Sequence, residues 1–187
     1  MSQTMTLLAL SGSLRAGSYN TAALEALARL APAHVTIVVY KGLGDLPLFN
    51  PDRETQVLPA LAALEDLLQA ADGLIIASPE YAHGISGVMK NTLEWLVSGA
   101  AFINVPIMLI NTSPRASHAQ AALREVLTTM SGNIVDAACL AIPLLGSDLD
   151  AAAIVAQPLL AEALTESLAI FFTTITELPD QRFGAAI

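Results

Sequence analysis

Short, almost wholly apolar runs alternate along this chain with longer stretches in which apolar residues recur every three or four positions. The runs are "TLLALS" (6–11), "HVTIVVY" (34–40), "GLIIAS" (73–78), "NVPIMLIN" (104–111) and "IVDAACLAIPL" (134–144). Strands this poor in polar positions are expected where both faces of a sheet are covered, as in parallel sheets between helices. The intervening stretches predict helices at about 18–31, 55–71, 87–98 and 115–131, with a last one at about 149–176. Asp72–Gly73 and Ser131–Gly132–Asn133 supply the stops after the second and fourth. Alternating β and α elements with right-handed crossovers build a three-layer α/β sandwich.

For five parallel strands the expected order is the flavodoxin-like 2-1-3-4-5, which places a ligand outside the strands' carboxyl ends where the first and third strands diverge. Loops 11–20, 78–91 and 111–118 then converge on one site, and they are also the most unusual stretches of the chain. At 187 residues the chain fits a single domain, 1–187. Charged residues are only 13% against 54% apolar, so a well-covered core and a buried subunit interface are both expected. The long final helix is rich in Ala, Leu and Ile and is the candidate interface of a homodimer or dimer of dimers.

The formal charge of −9 argues against nucleic-acid partners, whose phosphodiester backbone it would repel. A lone cysteine, Cys139, excludes an internal disulfide framework and is expected as a small buried hydrophobe. The uncharged stretch from Trp95 to Pro114 is broken by Ser98, Gly99, Asn104 and Pro106. It divides into a helix end, a turn and a strand rather than a membrane span. With no signal-peptide pattern at the start, a cytoplasmic protein without a membrane partner is expected.

In "SGSLRAGSYN" (11–20), Ser11, Ser13, Ser18 and Asn20, with Arg15, surround Gly12 and Gly17. Hydroxyls, amides and loop N–H groups donate to phosphate oxygens, and arginine adds a forked, permanently charged donor. The triphosphate fingerprint requires Lys, which is absent, and the dinucleotide fingerprint requires glycine where Ser13 or Leu14 stands. A terminal monophosphate held without metal remains. The ordinary alternative is a βα turn in which Ser18 or Asn20 caps the following helix.

"SPEYAHGISGVMKNTLEWL" (78–96) follows the third strand directly. Pro79 stiffens its exit, Glu80 and Tyr81 stand at the switch point, and Gly84 and Gly87 permit unusual backbone angles. Small residues and free backbone groups suit the polar edge of a flat heteroaromatic ring. Structural duties are expected for Lys90, reaching a carboxylate in another loop or subunit, and for Asn91, fastening loop backbone. Trp95 is expected in the core or an interface.

Together, "SGSLRAGSYN" and "SPEYAHGISGVMKNTLEW" closely resemble the NADPH-dependent FMN reductase family, flavodoxin-like enzymes that include quinone, azo-dye and chromate reductases. The resemblance spans the layout of the whole chain and is strongest in residues 7–26 and 73–96. It implies FMN as cofactor, NADPH or NADH as co-substrate, and ping-pong hydride transfer through the flavin to quinones, flavins or similar small acceptors. Ser11, Ser13, Arg15, Ser18, Tyr19 and Asn20 match positions that hold the FMN phosphate. Pro79, Glu80, Tyr81, Ala82, His83 and Gly84 match the segment lining the flavin ring, and Ser113 the third flavin-contacting loop. His83 and Arg115 are the candidates for contact with substrate.

Many members carry Asn where Ala82 stands and Pro where Ser86 stands; the first difference removes an amide near the ring and the second loosens the turn. The third loop, "NTSPRASHAQ" (111–120), lacks the family's glycine-rich run and is stiffer and more cationic. The alternative reading is a flavin-binding electron carrier without its own NAD(P)H reductase activity. His34, His83 and His118 are too scattered in sequence to argue a metal site. A serine hydrolase lacks its G-x-S-x-G signature, and a phosphoacceptor domain would need acids where Ser11 and Ser78 stand.

Overall fold

The computed structural model describes residues 4–178, so the expected domain span of 1–187 runs past the described residues at both ends. The strand and helix order is β1 (Met5–Ser11), α1 (Tyr19–Leu30), β2 (Val35–Tyr40), α2 (Pro59–Ala70) and β3 (Gly73–Ala77). A small hairpin, β4 (Glu80–Tyr81) and β5 (Gly84–Ile85), precedes α3 (Gly87–Leu96) and β6 (Pro106–Asn111). Then follow α4 (Ser117–Thr129), β7 (Asn133–Ile134), β8 (Leu140–Ala141), α5 (Ala151–Ala156) and α6 (Pro158–Glu177). The main sheet is parallel in the order β2-β1-β3-β6, with β7 and β8 both pairing with β6. This is the expected flavodoxin-like order, with the fifth strand delivered in two pieces.

Alternation along the strands explains the three layers. Leu7 and Ala9 of β1 face one core with Leu24 and Leu27 of α1, Ile154 of α5 and Leu164, Leu168 and Phe171 of α6. Leu8 and Leu10 face the other with Leu64 and Leu68 of α2, Met89 and Leu93 of α3 and Leu123 and Leu127 of α4. Every residue of β3 is buried, as a central parallel strand requires. Local chemistry sets the helix starts. The Ser18, Ser86 and Asp150 side chains accept from the N–H groups of Thr21, Met89 and Ala153, while Pro59 and Pro158 occupy first helical positions.

Several expected boundaries are corrected. The run 134–144 is not one strand, because a 3-10 turn at Asp136–Ala138 interrupts it. Pairing resumes at Leu140 against Ile110. The predicted final helix divides at Gln157, which has extended backbone, before Pro158, which has no N–H to continue the ladder. The second helix starts at Pro59 rather than near 55, because Pro51–Arg53 form a separate 3-10 turn. The uncharged stretch from Trp95 to Pro114 is the end of α3, a 3-10 turn at Ala100–Phe102 and β6, as expected. Among the described residues α6 alone is long and apolar enough to cross a membrane, and its stripe of Leu164, Leu168 and Phe171 is turned into the core.

Candidate active site

Parallel register brings the three loops together. Ser11 is level with Ala77, and Ala77 with Ile110, so β1, β3 and β6 end side by side. The Gly12 N–H donates to the Ala77 carbonyl at 2.8 Å. Gly12 is required by packing: a Cβ there would lie 2.3 Å from Ser78 Oγ and 2.8 Å from Ser78 Cβ. Over this edge lies a cavity of about 300 Å³, lined by Ser13, Arg15 and Ser18, by Pro79 and Tyr81, and by Ser113 and Arg115. Tyr19, Asn20 and Glu80 also border it. A larger space, about 490 Å³, lies on the far side of the first loop towards the end of β2 and residues 148–151. Only the smaller one is walled by all three loops.

Within the first loop Ser11, Ser13 and Ser18 are all buried, and their hydroxyls make hydrogen bonds within the chain. Ser11 Oγ pairs with Thr21 Oγ1 at 2.8 Å, and Asn20 Oδ1 accepts from the Thr112 hydroxyl at 3.0 Å, joining the first loop to the third. Ser18 Oγ accepts the Thr21 N–H at 3.3 Å, the helix cap foreseen as the ordinary alternative. Its hydroxyl hydrogen is not used by that bond. Tyr19 shares its hydroxyl with the Asp148 carboxylate and Asp148 N–H, at 3.3 Å each. The Arg15 guanidinium is exposed and takes no ion pair or side-chain hydrogen bond among the described residues, and the same is true of Arg115. Lys41, Lys90 and Arg124 are instead paired to carboxylates.

In the second loop the unusual backbone angles fall on Ala82 and His83, at φ 49° and 58°, not on Gly84 or Gly87. These two residues form the turn between Tyr81 and Gly84, which pair across the hairpin. Positive φ at both central positions matches the right-handed twist of the flanking strands, and Asn or Gly is its usual solution. Ser86 does not loosen the turn; it is 1% exposed and caps α3 through the Met89 N–H at 3.3 Å. Ala82, His83 and Gly84 stand outside the cavity wall that Pro79, Glu80 and Tyr81 form.

The Glu80 carboxylate accepts from the Ala119 N–H at 2.8 Å and meets His83 Nδ1 at 3.3 Å. The Ala119 hydrogen bond holds its carboxyl below the ordinary glutamate range; partial desolvation opposes this, and attraction to His118 and His83 adds to it. The rings of His83 and His118 meet edge-on with centroids 4.6 Å apart, so two histidines that are distant in sequence are neighbours here. His34 remains apart, against Phe172.

The supporting residues divide similarly. Asn91 fastens loop backbone as expected, accepting from the Phe49 N–H at 2.8 Å and donating to the Pro47 carbonyl at 3.0 Å. Trp95 is 3% exposed and donates to the same carbonyl. Lys90 reaches no neighbouring loop; its partner is Glu94, one turn along its own helix. Cys139 is only partly buried. The sequence carries no local signal for the role of Thr112; beside it, Asn111 at the end of β6 accepts the Ser113 N–H at 3.0 Å in an Asx turn.

The sequence model of a family described as NADPH-dependent FMN reductase matches residues 5–144. The chain belongs to this family. It is an oxidoreductase whose cofactor is FMN and whose co-substrate is NAD(P)H. The reductase is 28% identical to a quinone reductase of Escherichia coli over 143 residues, 73% of this chain and 76% of that protein. It is 38% identical to an NAD(P)H-dependent FMN reductase of Pseudomonas aeruginosa over 96 residues, 51% of each. In fold it is similar to the flavoenzyme NAD(P)H:(acceptor) oxidoreductase FerB of Paracoccus denitrificans, with TM-score 0.70, 21% identity and coverage of 91% of this chain and 98% of that one. The site's donor set fits FMN: hydroxyls and one unpartnered guanidinium beside a helix start suit a metal-free monophosphate, and the segment from Pro79 to Tyr81 supplies an adjoining wall.

Proposed function

We propose that this reductase passes reducing equivalents from NAD(P)H to quinones and similar small-molecule acceptors, such as flavins or azo compounds, in the cavity shared by the three loops. The observation that carries this reading is that cavity's pair of unpartnered guanidiniums, Arg15 and Arg115, in a chain with only 8 Lys and Arg against 17 acidic residues. Relatives named quinone reductase, 2-hydroxy-1,4-benzoquinone reductase and NADPH azoreductase support the acceptor class.

Arg15, Ser13 and Ser18 hold the FMN phosphate, while Ser11, Tyr19 and Asn20 keep the loop in shape through Thr21, Asp148 and Thr112. The segment from Pro79 to Tyr81 borders the ring, and Ser113 closes the third side. When bound, FMN accepts hydride and passes electrons on; the chain itself supplies orientation and charge. Arg115 gives the cavity wall a cationic group suited to the phosphates of a nicotinamide nucleotide or to an anionic acceptor.

One mouth serves both substrates, so the oxidised nicotinamide leaves before the acceptor enters. The purified protein should be yellow and bleach anaerobically with NAD(P)H, and double-reciprocal plots should be parallel. Flavin colour that does not bleach identifies an electron carrier instead, and intersecting lines exclude the ping-pong order. A homodimer or dimer of dimers accounts for the apolar surface of α6, where Leu159 is 80% and Ile170 42% exposed. Elution of a monomer from a sizing column at micromolar concentration would refute it. The cytoplasm, where NAD(P)H is regenerated, is the expected location.

A further inference from the structure

Glu80 lies on the hairpin that walls the cavity, yet its carboxylate is directed elsewhere. Its side chain is only 13% exposed. Oε2 accepts the Ala119 N–H at 2.8 Å, and Oε1 meets His83 Nδ1 at 3.3 Å. Ala119 is the third residue of α4, one of the first-turn N–H groups that a helix cannot satisfy from within. A local cap is missing, because the N-cap position is Ala116 and its side chain carries no acceptor. The cap comes instead from 39 residues earlier in the chain, and it is an anion at a helix N-terminus, where the helix dipole favours negative charge. The edge-on contact of His83 with His118 fastens the same two elements a second time.

This tie joins two elements that pack directly against one another, the β4–β5 hairpin lying on α4, and it is the charged contact between them. The hairpin turn is strained, with two consecutive non-glycine residues in the left-handed region. The loop that leads into α4 carries Ser113 and Arg115, so the hairpin and this loop are the second and third walls of the cavity. We propose that Glu80 is a positioning residue: its carboxylate clamps the β4–β5 hairpin to the start of α4 and so fixes the spacing of the two walls between which FMN is held. The proposal rests on the reading of this cavity as the FMN site.

The rival account is that Glu80 only caps α4. Three variants of the full chain separate the two: Glu80→Ala, Glu80→Gln, and Glu80→Ala combined with Ala116→Ser, which gives α4 a local hydroxyl acceptor. FMN affinity is read from flavin fluorescence quenching, stability from the thermal midpoint of the apoprotein, and local order from hydrogen exchange in residues 80–86 and 116–121. Glu80→Ala should weaken FMN binding by about tenfold or more, as small misplacements of site walls do, and quicken exchange in both segments. Glu80→Gln, whose amide oxygen still accepts from Ala119, should stay within about threefold of the wild type. Adding Ala116→Ser should restore the thermal midpoint and leave FMN affinity low.

FMN binding by Glu80→Ala within threefold of the wild type overturns the clamp. So does recovery of FMN affinity together with the midpoint in the double variant, or a Gln variant as weak as the Ala variant. A wild-type protein that binds no FMN refutes the cavity reading instead. In that event the exchange data still judge the tie, since quickening confined to 116–121 marks a helix cap alone.

Discussion

Arg15→Ala isolates the phosphate contact assigned to the first loop. Arg15 is exposed, and its guanidinium has no ion pair or side-chain hydrogen bond among the described residues, so truncation removes nothing the fold depends on. The thermal midpoint should therefore stay close to the wild type, a change of about 0.5 kcal/mol or less. A hydrogen bond to a charged group contributes about 1.5–3 kcal/mol, and solvent exposure places this one at the lower end. The corresponding loss is about tenfold in FMN affinity, measured by fluorescence titration in about 0.1 M salt, where the Debye length is about 10 Å. Riboflavin, which has the same ring and side chain without the phosphate, is the internal control and should bind both proteins equally. A loss below about threefold for FMN, or an equal loss for riboflavin, would show that Arg15 is not the phosphate contact.

Ala82→Asn should stabilise the hairpin, because Asn tolerates the left-handed backbone that Ala82 adopts at φ 49°. A gain of about 0.5–1 kcal/mol, or about 1–4 °C in thermal midpoint, is expected, and a midpoint below the wild type would contradict the strain. Gly12→Ala forces a Cβ to 2.8 Å from Ser78 Cβ, a contact that rotating the hydroxyl cannot relieve. Overpacking of this kind should lower stability by about 1–3 kcal/mol in chemical denaturation, and an unchanged midpoint would show that the strand ends shift freely. The lowered Glu80 pKa links stability to pH in a definite sense. The contribution of Glu80 is fully present above the ordinary value of 4.5 and is lost as pH falls through the lower folded value. In Glu80→Gln this acid-side decline below about pH 4 should be shallower, and acid denaturation curves identical to the wild type would deny the linkage.

The strand core was legible because it is written in local pattern. The buried run of β3, the alternating faces of β1 and the Ser18 cap each depend on residues close together in sequence. The same holds for the three loops as a group, since parallel strands necessarily end on one edge. Boundaries failed where a neighbouring element decided them. β7 and β8 are separated by a turn inside one continuous apolar run, and which residues pair is set by the edge of β6 rather than by hydropathy. The division before Pro158 had a proline signal, but the apolar periodicity on both sides masked it.

Sequence alone determined the α/β architecture, the exclusion of triphosphate and dinucleotide fingerprints in the first loop, and the residues from which the three loops are made. It did not determine what those residues do to one another. Asn20 reaches Thr112, Glu80 reaches Ala119, and His83 meets His118 across gaps that no spacing rule spans. The glycines at 84 and 87 drew attention to backbone freedom, yet hairpin pairing moved the left-handed angles onto Ala82 and His83. Hydrophobic burial is nearly additive along the chain and is therefore visible in composition and period. Hydrogen bonds and ion pairs require two particular atoms within about 3 Å, and only the folded chain sets that distance.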